Sequence, residues 1–215
     1  MRHPLGTRCG VPCPRVDQVA LDGALAAMAP PGIVTGSRLI TPADFESLHM
    51  SERAAVANAV PVRRHEFASG RALLRDLAGT IEAIPVGPTR APLLPPGVVG
   101  SLAHDRLVAV AAVSRDPSVA ALGIDVEPTE PLATEMARVI LRDDERALDA
   151  HLAFTLKEAA YKAWSTGGGR MLDHHEVRVS VEGWSFTATV LPDGRELRGR
   201  FATVAGRHVA LVIVV

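Results

Sequence analysis

The chain reads as an α+β protein of two layered halves, because its patterns come in blocks: helices, then three short strands, then helices, then four strands. Three apolar runs rich in Val, Ile and Ala, over 98–102, 107–113 and 119–126, are bounded by turn residues and predict strands. Apolar and polar side chains then alternate through 176–182, 184–191, 197–204 and 207–215, the pattern of an antiparallel sheet with one buried face.

Taken in order, residues 1–35 are rich in Pro and Gly and predict a loosely structured lead-in, with only a short Ala-rich helix over 16–28. Thr41 supplies a cap and Pro42 a first-turn proline for a helix predicted to run toward Ala59. Pro61 restarts a second helix to about Leu77, and a Pro/Gly-rich connector follows over 85–97. Beyond the three strands, 133–150 and 151–164 predict two helices, the second halted by Gly167, Gly168 and Gly169. The halves divide near Ser114 to Val119, giving parts over 36–116 and 117–215 with no residue-level repeat between them.

Composition narrows the function classes. The 215 residues are 47% apolar, yet no uninterrupted apolar run is long enough to span a bilayer. Asp22 and Gly23 interrupt the one early stretch that imitates a secretion signal, so a cytoplasmic protein is expected. A net charge of -1 supplies no global basic field for nucleic acid, and any anionic ligand has to be met locally. Cys9 and Cys13 are the only cysteines, and a zinc site there would lack half its ligands, so free thiols or an incidental pair are expected.

Two lysines stand against 21 arginines, and both fall in Phe154-Thr155-Leu156-Lys157-Glu158-Ala159-Ala160-Tyr161-Lys162-Ala163-Trp164. A chain that uses arginine wherever a charge suffices has a chemical reason to keep a compact ammonium, so Lys157 and Lys162 are candidate functional residues. Arg63, Arg64, Arg71 and Arg75 recur at helical spacing and form either a local anion-binding stripe or a solvated face. In Gly123-Ile124-Asp125-Val126-Glu127-Pro128, the two carboxylates alternate at the end of a strand and project from one face about 6 to 7 Å apart. With Glu158 as a third oxygen donor, that set suits Mg²⁺, which takes a few carboxylates, waters and substrate phosphate oxygens. Glu158 and Lys162, four apart on one helix, are otherwise a surface ion pair.

Four blocks together resemble the 4'-phosphopantetheinyl transferases, of the monomeric type represented by the enterobactin synthetase component. They are 63–71, Val98-Val99-Gly100-Ser101-Leu102-Ala103-His104, Gly123 to Pro128, and Phe154 to Trp164. The resemblance runs from about Thr41 to the C-terminus and implies two similar α/β subdomains in one chain, each a small, mostly antiparallel sheet packed with helices. It implies that a coenzyme A-binding N-terminal subdomain and a C-terminal subdomain with the metal site transfer the phosphopantetheine arm of coenzyme A to a serine of an apo acyl or peptidyl carrier protein. Adenosine 3',5'-bisphosphate would leave. Asp125, Glu127, Glu158 and the backbone carbonyl of Val126 would bind Mg²⁺. Glu158, directly or through a water, would take the serine proton, and Lys162 would neutralise the leaving phosphate. Arg63, Arg71, Arg90, Ser101, Ala103, His104, Lys157 and Lys162 would contact coenzyme A. Ala103, Leu94 and Met171 to His174 depart from the family pattern, and an adjacent His174 and His175 raise a second metal site only weakly. The carrier is expected to be acidic, with Met136, Arg138 and Val139 as its contact surface, and the protein a monomer. Two other readings use the same residues: a catalytically silent module that binds coenzyme A or a carrier protein, and a Mg²⁺-dependent phosphohydrolase. The sequence lacks a Walker-type phosphate loop.

Overall fold

A computed structural model describes residues 16–88, 90–166 and 170–215. Two antiparallel sheets organise it. The first has three strands in the order β1 (Ile33–Leu39), β3 (Val108–Ser114), β2 (Val99–His104). The second has five, β4 (Ala121–Pro128), β8 (Arg207–Val214), β7 (Arg195–Val204), β6 (Ser185–Val190) and β5 (Val177–Glu182). The chain passes from one to the other between Ser114 and Ala121, so each half owns its sheet, as the α+β pattern implies. With three strands in one and five in the other, the halves are unequal in size. Cys9 and Cys13 lie outside the described residues, as does the Gly167 to Gly169 stop.

The short Ala-rich helix expected over 16–28 is present, and it is packed. Helix α1 (Gln18–Met28) is capped by Asp17, whose side chain accepts from Ala20 N at 3.0 Å. Leu21, Leu25 and Met28, at helical spacing, bury against Val108, Val110 and Ala112 of one sheet and Val209 and Leu211 of the other. β1 follows, in register with β3 from Ile33↔Ser114 to Leu39↔Val108. The Ala-rich helix is thus part of the central core.

Two predicted long helices are broken. In place of one helix to Ala59, a 3-10 turn (Pro42–Ser47) precedes a short α2 (Met50–Ala55). In place of one helix over 133–150, α4 (Thr134–Ile140) is followed by a 3-10 turn (Asp143–Glu145). Each break delivers a glutamate to the interior. Glu52 accepts from Ile84 N and His49 N, each at 2.9 Å, and from Arg75 of α3 (Pro61–Ala78) at 2.8 Å. Glu145 accepts from Val179 N at 2.6 Å, from Arg142 N at 3.1 Å and from Lys157 of α5 (Ala150–Ser165) at 2.6 Å. The same clasp, a buried carboxylate tied to the long helix that follows, recurs in both halves with different residues.

The long helices start and stop as their sequences dictate. Pro61 opens α3 and Gly79 closes it with φ 60°, while the Asp149 side chain caps α5 by accepting from Leu152 N at 2.8 Å. α3 covers the outer face of the first sheet, and α5 covers one face of the second. Gly123 allows β4 and α5 to touch: a Cβ there would lie 1.9 Å from Ala159 O. Besides the core they share, two hydrogen bonds among the described residues join the halves, Ile124 N donating to Ser101 Oγ at 3.1 Å and Arg207 Nε donating to Asp105 Oδ2 at 2.7 Å, the latter pair buried. No helix among the described residues is long and apolar enough to cross a membrane.

Candidate active site

A cavity of about 570 Å³ opens between the halves, lined among others by Arg63, Arg71, Arg90, Ser101, His104 and Lys162. Six of the expected coenzyme A contacts therefore converge. Of the arginine stripe, Arg63 and Arg71 face the cavity. Arg64 instead donates to Ala59 O at 2.8 Å and Ala57 O at 2.6 Å, and Arg75 serves the Glu52 clasp. Arg71 is 3% exposed, lies over the Phe67 ring at 4.4 Å, and has no partner for its Nε among the described residues. Burial pulls its guanidinium down to about 10. Arg71 thus brings a buried positive charge to the wall of the cavity. Arg90 reaches the rim from a left-handed turn, φ 69°, closed by its own N–H donating to Gly87 O at 2.9 Å.

Below the cavity lie the carboxylates. β4 directs Asp125 inward, 4% exposed, and Glu127 sits two residues on, where the strand emerges. Lys162 reaches across from α5, donating to Asp125 Oδ1 at 2.6 Å and Ile124 O at 3.1 Å. Lys162 thus turns to Asp125, and the simple surface pair with Glu158 is not what forms. The second oxygen, Asp125 Oδ2, is buried without a partner among the described residues. Burial raises Asp125 to about 6 against the pull of Lys162, and burial together with the negative charge of Asp125 raises Glu127 to about 8. Burial also raises Glu158, whose charge in turn raises both of the others.

Among the described residues no three His, Cys, Asp or Glu side chains are already closed around a point where a metal ion would sit. The set nonetheless fits a cation. It holds a buried carboxylate oxygen with no partner and three mutually repelling carboxyls with one ammonium among them, a deficit of positive charge that a divalent ion would fill. Glu127 also borders a second cleft, with His104, Asp105 and Glu66, and Glu158 borders a small pocket with Tyr161, Leu172 and Met171. Lys162 thus lines the first cavity, Glu127 the second cleft and Glu158 the small pocket.

Two of the expected contacts are not among the residues that line this cavity. Lys157 does not reach the cavity: it is 1% exposed, and its Nζ donates to Glu145, to Ile140 O at 2.8 Å and to His174 O at 2.9 Å, which uses all three of its donors. On one helix, five residues turn through about 140°, so Lys157 and Lys162 cannot share a face. The Ala103 methyl lies in the core between the sheets, and the residue is absent from the cavity lining. His174 stacks on Phe154 at 5.3 Å between centroids, and His175 Nε2 lies 3.2 Å from Arg138 O, so no paired-histidine metal site forms. Sequence reasoning missed Glu66, which borders two of the openings. Its spacing of three from Arg63 was the available signal.

Comparison with known proteins finds relatives along most of the described chain. The model of the 4'-phosphopantetheinyl transferase N-terminal domain matches residues 51–114, and that of the 4'-phosphopantetheinyl transferase superfamily matches residues 121–212. The 4'-phosphopantetheinyl transferase Svp of Streptomyces mobaraensis is 37% identical over 82% of this chain and 80% of its own. The 4'-phosphopantetheinyl transferase Npt of Nocardia iowensis is 31% identical over 74% of this chain and 77% of its own. Enterobactin synthase component D of Salmonella typhi is 35% identical over 48% of this chain and 49% of its own.

Proposed function

The chain belongs to the 4'-phosphopantetheinyl transferase superfamily, and from that membership we propose that it transfers the 4'-phosphopantetheine arm of coenzyme A to a serine of an apo acyl or peptidyl carrier protein. The transfer is Mg²⁺-dependent and releases adenosine 3',5'-bisphosphate. One observation carries the reading: a buried, unpartnered Asp125 oxygen beside Glu127 and Glu158, under a cavity lined by three arginines, His104 and Lys162.

Asp125, Glu127 and Glu158, with the Val126 carbonyl, are the groups that would hold Mg²⁺, which when bound offsets charge on the pyrophosphate. Arg71 and Arg63 bind the 3'-phosphate end of coenzyme A, Arg71 with a donor already desolvated, so that little ordering is needed on binding. Arg90 borders the adenine end. His104 and Lys162 face the pyrophosphate. The carrier serine oxygen attacks the β-phosphorus, and the bond from that phosphorus to the α-phosphate oxygen breaks. Glu158, raised by burial and therefore basic enough to hold a proton, accepts the hydroxyl hydrogen. Lys162 keeps one N–H beyond its bonds to Asp125 and Ile124 O and meets the charge that develops on the leaving α-phosphate. Catalysis is positioning and charge compensation, with no covalent intermediate on the protein.

The carrier docks at α4, where Met136 and Val139 are half exposed. Arg138 beside them complements an acidic carrier.

Intact mass of apo carrier proteins incubated with coenzyme A, Mg²⁺ and this protein tests the reading. A phosphopantetheine-sized gain that needs Mg²⁺ and disappears with Glu158→Ala supports it. No gain on acyl or peptidyl carriers while coenzyme A is bound would leave a silent module. Free phosphate released without a carrier would mean a hydrolase.

A further inference from the structure

Glu66 stands on α3 between the coenzyme A cavity and the neighbouring cleft, and its carboxylate is mostly buried, 13% exposed. Its Oε2 lies 3.3 Å from Arg63 Nη1, one helical turn earlier, and 3.7 Å from His104 Nδ1, at the end of β2. Arg63 Nη1 also contacts His104 Nε2. Because a guanidinium can only donate, His104 Nε2 must be the acceptor in that contact, so the ring's one proton sits on Nδ1. There it faces Asp105 O at 3.3 Å and the Glu66 carboxylate. The three side chains form a closed ring in which Nε2 is engaged by Arg63 and carries no proton.

An imidazole in that state cannot donate to a phosphate. We propose that Glu66 is a positioning residue for substrate binding: it anchors Arg63 and the Nδ1 edge of His104, so that when the 3'-phosphate of coenzyme A draws Arg63 away, His104 Nε2 binds a proton from water and donates that N–H as a hydrogen bond to the pyrophosphate. This rests on the coenzyme A reading of the cavity. The charges around the ring favour that role for Glu66. Arg63 and Lys162 face His104 from α3 and α5 and oppose a proton on it. Asp105 is already committed, its carboxylate bound by Arg207 and by the N–H groups of Leu107 and Val108. Glu127, across the cleft on β4, belongs to the carboxylate cluster, and Arg106 on the turn adds positive charge. That leaves Glu66 as the anion that supports an imidazolium here. In the free protein, burial holds His104 below the usual histidine range, and Glu66 pulls the other way.

The test is ring-nitrogen NMR of His104 at pH 7, with and without coenzyme A and Mg²⁺, in the wild type, Glu66→Gln and Glu66→Asp, beside steady-state kinetics. In the wild type the ring should pass from the neutral Nδ1–H form to the doubly protonated form on binding. In Glu66→Gln it should stay neutral, with KM for coenzyme A raised roughly tenfold and kcat changed less than about threefold, the size of a lost charge-assisted contact. Glu66→Asp, which keeps the charge, should recover most of both. A ring that becomes doubly protonated in Glu66→Gln as in the wild type overturns the inference. Should Glu66→Gln fail to fold, Glu66→Asp decides through the wild-type comparison: a bound ring state that remains neutral in both overturns it. A wild type that binds no coenzyme A refutes the reading of the cavity itself, and the inference with it.

Discussion

Lys157 donates to Glu145 across 2.6 Å with both side chains 1% exposed, and Glu145 in turn holds the N–H groups of Arg142 and Val179. This buried pair fastens the centre of α5 to the turn after α4 and to the first residues of β5. Removing the ammonium leaves a carboxylate in the interior without its counter-charge. Lys157→Met should therefore cost about 3 to 5 kcal/mol of stability, the usual penalty for orphaning one partner of a buried pair. Urea unfolding measures it. The KM for coenzyme A of the folded fraction should stay within about twofold, since one unaffected contact leaves affinity unchanged. A tenfold rise in that KM at full stability would return Lys157 to the cavity.

The fate of the two lysines shows where sequence reading reaches its limit. Their scarcity marked α5 as functional, but which lysine is chemical and which is structural depends on where β4 and the α4 turn lie around the helix, and neither is local to the motif. Asp125 and Glu127 were legible because strand alternation alone puts them on one face. β1 was not: Gly36, Ser37 and Arg38 interrupt its apolar pattern, and it exists through register with β3, some seventy residues away. The breaks before Met50 and Asp143 were hidden for a related reason. Helical propensity continues through both, and the buried demands of Arg75 with Ile84 N–H, and of Lys157 with Val179 N–H, override it.

Gly123 has no room for a side chain. A methyl group there would stand 1.9 Å from Ala159 O and 2.7 Å from Ala163 N, both backbone atoms that cannot rotate aside. Gly123→Ala should push α5 outward by more than an ångström, carrying Glu158 and Lys162 away from Asp125. Displacements of that size cost about a hundredfold in rate. Carrier modification rates beside circular dichroism check it: helix content should persist while kcat falls, and an unchanged kcat would refute the tight strand-to-helix coupling.

Removing α1 should unfold the protein. Leu21, Leu25 and Met28 are buried between the sheets, and at about 1.5 to 3 kcal/mol each their loss approaches the 5 to 15 kcal/mol that holds a typical domain together. A truncated chain beginning at Ile33 should show no cooperative thermal transition. Retained melting and activity would restore the view of this region as a dispensable lead-in.

Protons and Mg²⁺ should compete for the carboxylate cluster. Burial first, with mutual repulsion behind it, holds Asp125 at about 6 and Glu127 at about 8 in the free protein. In an unfolded chain both groups titrate near 4. Between those values the native state binds more protons than the unfolded one, so the linkage slope is negative and these two groups lose stability as pH rises from about 4 to about 8. A divalent cation takes the place of those protons and favours the ionised form. Binding should therefore release protons, and affinity should rise between pH 6 and pH 8. At a hundredfold excess over Kd, Mg²⁺ adds about 2.7 kcal/mol. For a chain of this size that is about 5 to 10 °C in Tm. At a fixed, lower Mg²⁺ concentration the Tm gain should be larger at pH 8 than at pH 6. Asp125→Asn should abolish the gain, because it removes the charge on the buried oxygen that the cation would bind. Calorimetry in buffers of different ionisation heat counts the protons. An equal Tm gain at both pH values, or a gain that survives Asp125→Asn, would place the cation elsewhere.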